Sequence, residues 1–163
     1  MILLLKAYGL RIDGIIKFMN EELVSALKEV LSDSYSLYFK SKGYHWNVEG
    51  IYFIQFHELF GDIADDAYSA TDPLAEYIRA LQAYAPFKMS RFLEMTSVKE
   101  TEVGSDCHMM LADLLMSTEQ ITMSVNRALT LAIESNEQGI ANFLADRDSQ
   151  HKKYAWQLRS SLK

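Results

Sequence analysis

Residues 53–81 read FIQFHELFGDIADDAYSATDPLAEYIRAL, and their apolar positions decide the fold. Phe53, Phe56, Phe60, Ile63, Ala67, Leu74, Ile78 and Leu81 recur at three- and four-residue steps, the period of a helix with one face against a core. The spacing predicts a single long amphipathic helix. Upstream, Asn20 reads as an N-cap followed by acidic Glu21 and Glu22, then Leu23, Leu27, Val30, Leu31 and Tyr38 at near-helical spacing. A helix over 21–47 is expected, ending before Gly50.

Downstream, Tyr84, Ala85, Pro86 and Phe87 break the period. The connection over 83–104 should therefore be long, with one short helix near 89–95. Such a crossover suits a bundle whose second and third helices run in the same direction. Gly104, Ser105 and Asp106 announce a third helix with Leu111, Leu115, Ile121, Val125, Leu129 and Ala132 on its apolar face, ending near Ser135. Ser135 and Gln138 resemble a capping box. They open a fourth helix carrying Ile140, Phe143, Leu144, Tyr154, Ala155, Leu158 and Leu162. The expected fold is an all-α four-helix bundle over 20–163 with an N-terminal arm over 1–19, whose Leu3, Leu4, Leu5 and Leu10 would pack on the bundle or on a neighbouring subunit.

Composition agrees. A chain of 163 residues, 49% of them apolar, suffices for one domain and its core. Two prolines and seven glycines are too few for the turns of an all-β chain. A lone Cys107 excludes an intrachain disulfide, and the N-terminus lacks a secretory leader, so a cytoplasmic protein is expected. No apolar run is long enough to span a bilayer. The net charge of -6 comes with dispersed lysines and arginines, which disfavours a phosphate-binding face and, multiplied over an oligomer, would attract cations.

Four histidines are present. His45 and His57 flank the turn between the first two predicted helices, and imidazole combined with carboxylate suits iron or zinc. The ordinary reading of such a pair is two interfacial histidines satisfied by hydrogen bonds. Asp72 and Glu76 form an i, i+4 pair able to reach one ion, though a wet acidic face would look the same. On a continuous helix, fifteen positions at about 1.5 Å each would put His57 and Asp72 roughly 22 Å apart. One chain would not bring both to one ion, whereas an isologous dimer would build each site twice. An intrachain di-iron bundle uses Glu-x-x-His motifs, and the sequence holds none; Asp148 to His151 is the nearest approach. His151 lies on an apolar stripe and reads as a core histidine, and His108 has no evident partner. Eight methionines, among them Met109, Met110, Met116 and Met123, read as core filling.

Tyr44-His45-Trp46-Asn47-Val48-Glu49-Gly50, His57-Glu58-Leu59-Phe60 and Asp72-Pro73-Leu74-Ala75-Glu76-Tyr77-Ile78-Arg79-Ala80-Leu81 resemble, in order and spacing, the signature blocks of the Dps miniferritins. The similarity extends through Ser90-Arg91-Phe92 and from His151 to Ser160, covering 20–162. It implies a ferritin-like bundle and a ferroxidase centre of His45 and His57 from one subunit with Asp72 and Glu76 from its twofold partner. It also implies a dodecameric homo-oligomer, iron as the metal, hydrogen peroxide as oxidant and a stored ferric mineral. His45, Asp72 and Glu76 would hold a first ferrous ion and His57 a second; Trp46 would either intercept radicals or simply pack an interface.

Three positions depart from the family pattern. Pro73 follows a ligand inside a helix and should kink it. Gly61 stands where many relatives carry an acidic residue, with Asp62 or Asp65 as substitutes, and Asn142 stands where relatives often carry a pore aspartate, with Asp146 one turn later. Two alternatives follow: a DNA-coating nucleoid shell, which would need a basic tail this chain does not show, and a redox-inactive structural or zinc-binding shell.

Overall fold

A computed structural model describes the backbone of residues 12–163 and the side chains of 18–163. The helices, in order, are α1 (Ile12–Asn47), α2 (Phe53–Ser69), α3 (Thr71–Ala80), α4 (Met89–Met95), α5 (Cys107–Glu134) and α6 (Gln138–Ser161). The described residues include no strand. Among them, no helix is long and apolar enough to cross a membrane. Helix α1 packs on α2, α3, α4 and α5, and α5 packs on α6. With α2 and α3 taken as one broken column, this is the expected all-α bundle, and α4 lies in its long connection.

The predicted apolar stripes form the core: Leu23, Leu27, Val30, Leu31, Phe60, Ile63, Leu74, Ile78, Leu111, Ile121, Val125, Leu144 and Leu158 are all buried. Each large side chain withdrawn from water contributes about 1.5–3 kcal/mol. The crossover is tied down by a carboxylate. Asp33, fully buried on α1, accepts hydrogen bonds from Thr96 Oγ1 at 2.9 Å, Ser97 N at 2.6 Å, Ser97 Oγ at 2.8 Å and Ser124 Oγ at 2.6 Å. That cluster fixes the end of α4 to two bundle helices at once.

Four local expectations need correction. The first helix is already formed at Ile12, where the described residues start, rather than opening near 21. Asn20 is therefore helical rather than a cap, because favourable residues on either side carry the helix through one weak helix former. The expected arm over 1–19 overlaps this helix from Ile12, while its residues 1–11 lie outside the described residues.

The second predicted helix is broken at Ala70 into α2 and α3. Pro73 has no N–H to offer the carbonyl of Ser69. Polar side chains serve neighbouring carbonyls: Ser69 Oγ donates to Asp66 O and Thr71 Oγ1 to Tyr68 O, each at 2.7 Å.

The Ser135–Gln138 capping box does not form; α6 has Glu137 as N-cap with no side-chain cap bond. Instead α5 closes with Asn136 in the left-handed region (φ 61°), Glu137 N donating to Ala132 O and Asn136 N to Ile133 O. This is the paired-bond ending in which an asparagine tolerates positive φ. Gln82 (φ 63°) ends α3 in the same way, donating to Arg79 O while Ala83 N donates to Ile78 O. Finally, burial departs from the sequence pattern at Phe53, which is exposed despite its place in the apolar period, and at Met109, Met116 and Met123, which are exposed while Met110 alone of the four fills the core.

Candidate metal centre

The site is built at the turn where α1 reverses into α2. Gly50 takes φ 104°, a conformation that side chains resist, and Phe53 N closes the turn on Gly50 O at 3.1 Å. His45 sits in the last turn of α1 and His57 in the second turn of α2. The reversal lays one ring on the other, with centroids 3.7 Å apart and planes inclined by 23°. Phe53 flanks the pair, its centroid 4.9 Å from that of His57.

The hydrogen bonds are reciprocal. His45 Nδ1 lies 2.6 Å from His57 O, and His57 Nδ1 lies 2.7 Å from His45 O. A carbonyl oxygen only accepts, so each Nδ1 must carry the proton. In the neutral rings, Nε2 is then the bare nitrogen with its lone pair available. A backbone bond that fixes the tautomer of a histidine is how metal ligands are oriented.

The helix end carrying His45 is itself held. Lys40 Nζ pairs with Asp113 Oδ2 at 2.6 Å and donates to Lys99 O at 2.6 Å and Ser117 Oγ at 3.0 Å. Tyr44 donates to the same Asp113 oxygen at 2.8 Å. Burial above all, with the Asp113 carboxylate beside it, pushes the Tyr44 phenol well above its usual range. Periodicity gives no hint of this network except a charge, Asp113, at an apolar register of α5.

Asp72 and Glu76 lie one turn apart on α3, both exposed, with no hydrogen bond or ion pair among the described residues. No group of three or more His, Cys, Asp and Glu side chains among the described residues could hold a metal ion within one chain. The structure therefore brings His45 and His57 together and leaves Asp72 and Glu76 outside that pair. Of the substitutes considered for the second ion, Asp65 is engaged by Lys42 at 3.2 Å. Trp46 is exposed beside the pair, and Asn142 and Asp146 are exposed on α6.

His151 is a core histidine, 2% exposed. Its Nδ1 has no partner, and burial, then the Arg147 guanidinium, lowers its pKa to about 3. Arg147 is spent on Asp66, its Nη1 lying 3.0 Å from Oδ1. His108 is exposed near the start of α5, where its backbone N–H caps on Asp106 at 2.9 Å.

The chain is similar to known proteins along most of its length. A family model described as a ferritin-like domain matches residues 24–163. An uncharacterised low temperature-induced protein of Nostoc is 31% identical over 91% of this chain and 84% of its own length. DNA protection during starvation protein 2 of Bacillus anthracis is 25% identical over 88% of this chain and 99% of its own. Among solved structures, the Dps protein of Vibrio cholerae, described as a member of the ferritin-like diiron-carboxylate superfamily, superposes with a TM-score of 0.84 at 27% identity. That match covers 90% of this chain and 92% of the other. Fold, family match and relatives agree, and the chain belongs to the ferritin-like domain family and, within it, to the Dps miniferritins.

Proposed function

We propose that this chain is a protomer of a cytoplasmic dodecameric cage that binds ferrous iron at its twofold interfaces. There it oxidises the iron with hydrogen peroxide and retains the ferric product, limiting oxidative damage. The observation that carries this reading is the reciprocal His45–His57 bonding, which leaves two Nε2 lone pairs and no other evident use for them. The unpaired Asp72 and Glu76 supply the anionic half, contributed by a second copy of the chain. An exposed apolar surface around the pair, including Trp46, Ile51 and Ile54, gives that copy something to cover.

Iron is the substrate. His45, Asp72 and Glu76 would hold one ferrous ion, and His57 a second beside it. Two ferrous ions lose one electron each; peroxide takes both electrons with two protons and leaves as two waters. Pairing the electrons avoids the one-electron step that releases hydroxyl radical. The carboxylates favour the ferric product because an anionic ligand stabilises the higher charge.

A second reading, a shell that holds zinc without redox chemistry, is favoured by the two nitrogen donors, since imidazole also suits zinc. Direct DNA binding has little support, because the basic residues are dispersed and the net charge is -6. The test is anaerobic ferrous loading followed by stoichiometric peroxide, reading near-ultraviolet absorbance and spin-trapped hydroxyl radical. Fast ferric formation with little radical is expected. Oxidation unchanged in a His45→Ala, Glu76→Ala double variant would sink the reading, and zinc retained in place of iron after expression with both would favour the second.

A further inference from the structure

Gly61 is buried in the middle of α2, where glycine is among the least favourable residues for a helix. Its φ is ordinary, so the backbone does not require it. Space does. A β-carbon at this position would stand 3.0 Å from His45 Nδ1 and 3.2 Å from His45 Cε1. The helical glycines Gly43 and Gly139 show nothing within 4 Å. The atom that would be struck is the one that makes the 2.6 Å bond to His57 O, one helical turn before Gly61.

Resting on the metal-site reading above, we propose that Gly61 is a positioning residue: its missing side chain is the space in which the His45 ring lies on His57 with Nδ1 protonated and Nε2 free. The ring is fixed on one side by the stack and at its edge by the hydrogen bond. It yields to a β-carbon only by lengthening that bond or compressing the stack. A side chain at 61 and the His45 ring in this pose therefore compete for one volume. The half-site contributed by this chain is two imidazoles, and Gly61 adds no carboxylate to it. Nitrogen donors of this kind favour borderline divalent ions over magnesium or calcium.

The tests use the full chain and the variants Gly61→Ala and Gly61→Asp. In metal-free protein labelled with 15N-histidine, the ring nitrogen shifts of wild type should show His45 locked in the Nδ1–H tautomer, and Gly61→Ala should show a tautomer mixture. Gly61→Ala should lower Tm in the wild-type background and raise it in a His45→Ala background, where the helix gain is no longer opposed. Cobalt(II) affinity, read from its visible absorption, should fall about tenfold or more in Gly61→Ala, the range for losing a group that orients a ligand, and further in Gly61→Asp. If Gly61→Ala raises Tm equally in both backgrounds, keeps the tautomer and binds cobalt(II) as wild type does, the assignment is wrong. A wild-type chain with the locked tautomer that binds neither cobalt(II) nor iron would instead sink the functional reading, leaving the packing role of Gly61 intact.

Discussion

The two halves of the candidate centre are made in opposite ways. The histidine half is over-determined by its own chain: a tight turn, a stacked pair, two reciprocal hydrogen bonds, a glycine that makes room, and a buried ion pair behind the helix end. The carboxylate half has none of this. Asp72 and Glu76 stand exposed on a short helix that starts after a break, with nothing among the described residues to orient them. On the proposed reading, a chain that fixes one set of donors and leaves the other unassigned would be half of a symmetric device, in which a twofold axis presents each set to the other.

The largest effect comes from separating the halves genetically. A His45→Ala, His57→Ala chain and an Asp72→Ala, Glu76→Ala chain should each lose fast ferrous oxidation by about a hundredfold or more, beyond what loss of an orienting group alone costs. Co-assembled at equal amounts, they should recover about a quarter of the wild-type sites, since half of random dimers are mixed and each of those rebuilds one of its two isologous sites. Stopped-flow absorbance on the purified mixture measures this. Zero recovery in verified mixed dimers breaks the comparison at its root.

Next is the support behind His45. The side chains of Lys40 and Asp113 are only 8% and 6% exposed, so removing one partner strands a buried charge and costs about 3–5 kcal/mol. Lys40→Met should lower the unfolding free energy by that amount, read by denaturant titration, and weaken metal binding through the loosened end of α1. A Lys40→Met, Asp113→Leu double variant should regain much of the stability, since replacing both charges by apolar groups is often near neutral. If Lys40→Met changes neither stability nor affinity, the histidine half is not held from behind.

A third histidine sharpens the contrast, because His151 is buried with no partner for Nδ1, whereas His45 and His57 each have one. Its folded pKa of about 3 lies below the ordinary 6.5, so the unfolded chain binds its proton first as pH falls. The stabilisation is complete above about pH 6.5 and is lost as pH drops towards the folded value. By pH 5 the loss is about 2 kcal/mol. A His151→Phe variant should lose less stability than wild type between pH 7 and pH 5, read by denaturant titration; an unchanged pH dependence would mean that His151 finds a partner in solution.

The same physics explains what the sequence disclosed. Apolar period made the helices, their burial and the long crossover legible, since stripes of Leu, Ile, Val and Phe have one use in a bundle. The histidine pair was legible as a candidate because it brackets a turn. Helix ends were not, as Asn20 and Ser135 show: capping competes with continued helix at differences near 1 kcal/mol, and tertiary packing settles them. Gly61 and the Lys40–Asp113 network were illegible for another reason. Their meaning lies in contacts with residues on another turn or another helix, which no linear spacing encodes.

The smallest expected effect tests the break that defines the carboxylate half. Pro73 falls in the first turn of α3, where its fixed φ and missing N–H are tolerated. Pro73→Ala should therefore change stability by only about 1 kcal/mol in either direction, the new hydrogen bond to Ser69 O opposing the greater freedom of the unfolded chain. Geometry should respond more. With an N–H at 73, the helix ladder can run through Ala70, turning α3 into a continuation of α2 and swinging Asp72 and Glu76 about the common axis. Donors offered to another subunit from α3 depend on the direction of that axis. Pro73→Ala should thus slow ferrous oxidation several-fold and weaken the first metal by a similar factor, while the Nδ1–H tautomers of His45 and His57 stay as they were. Slowed oxidation with altered tautomers would mean that the two halves are coupled through α2. Unchanged oxidation would mean that the partner interface alone sets the direction of α3.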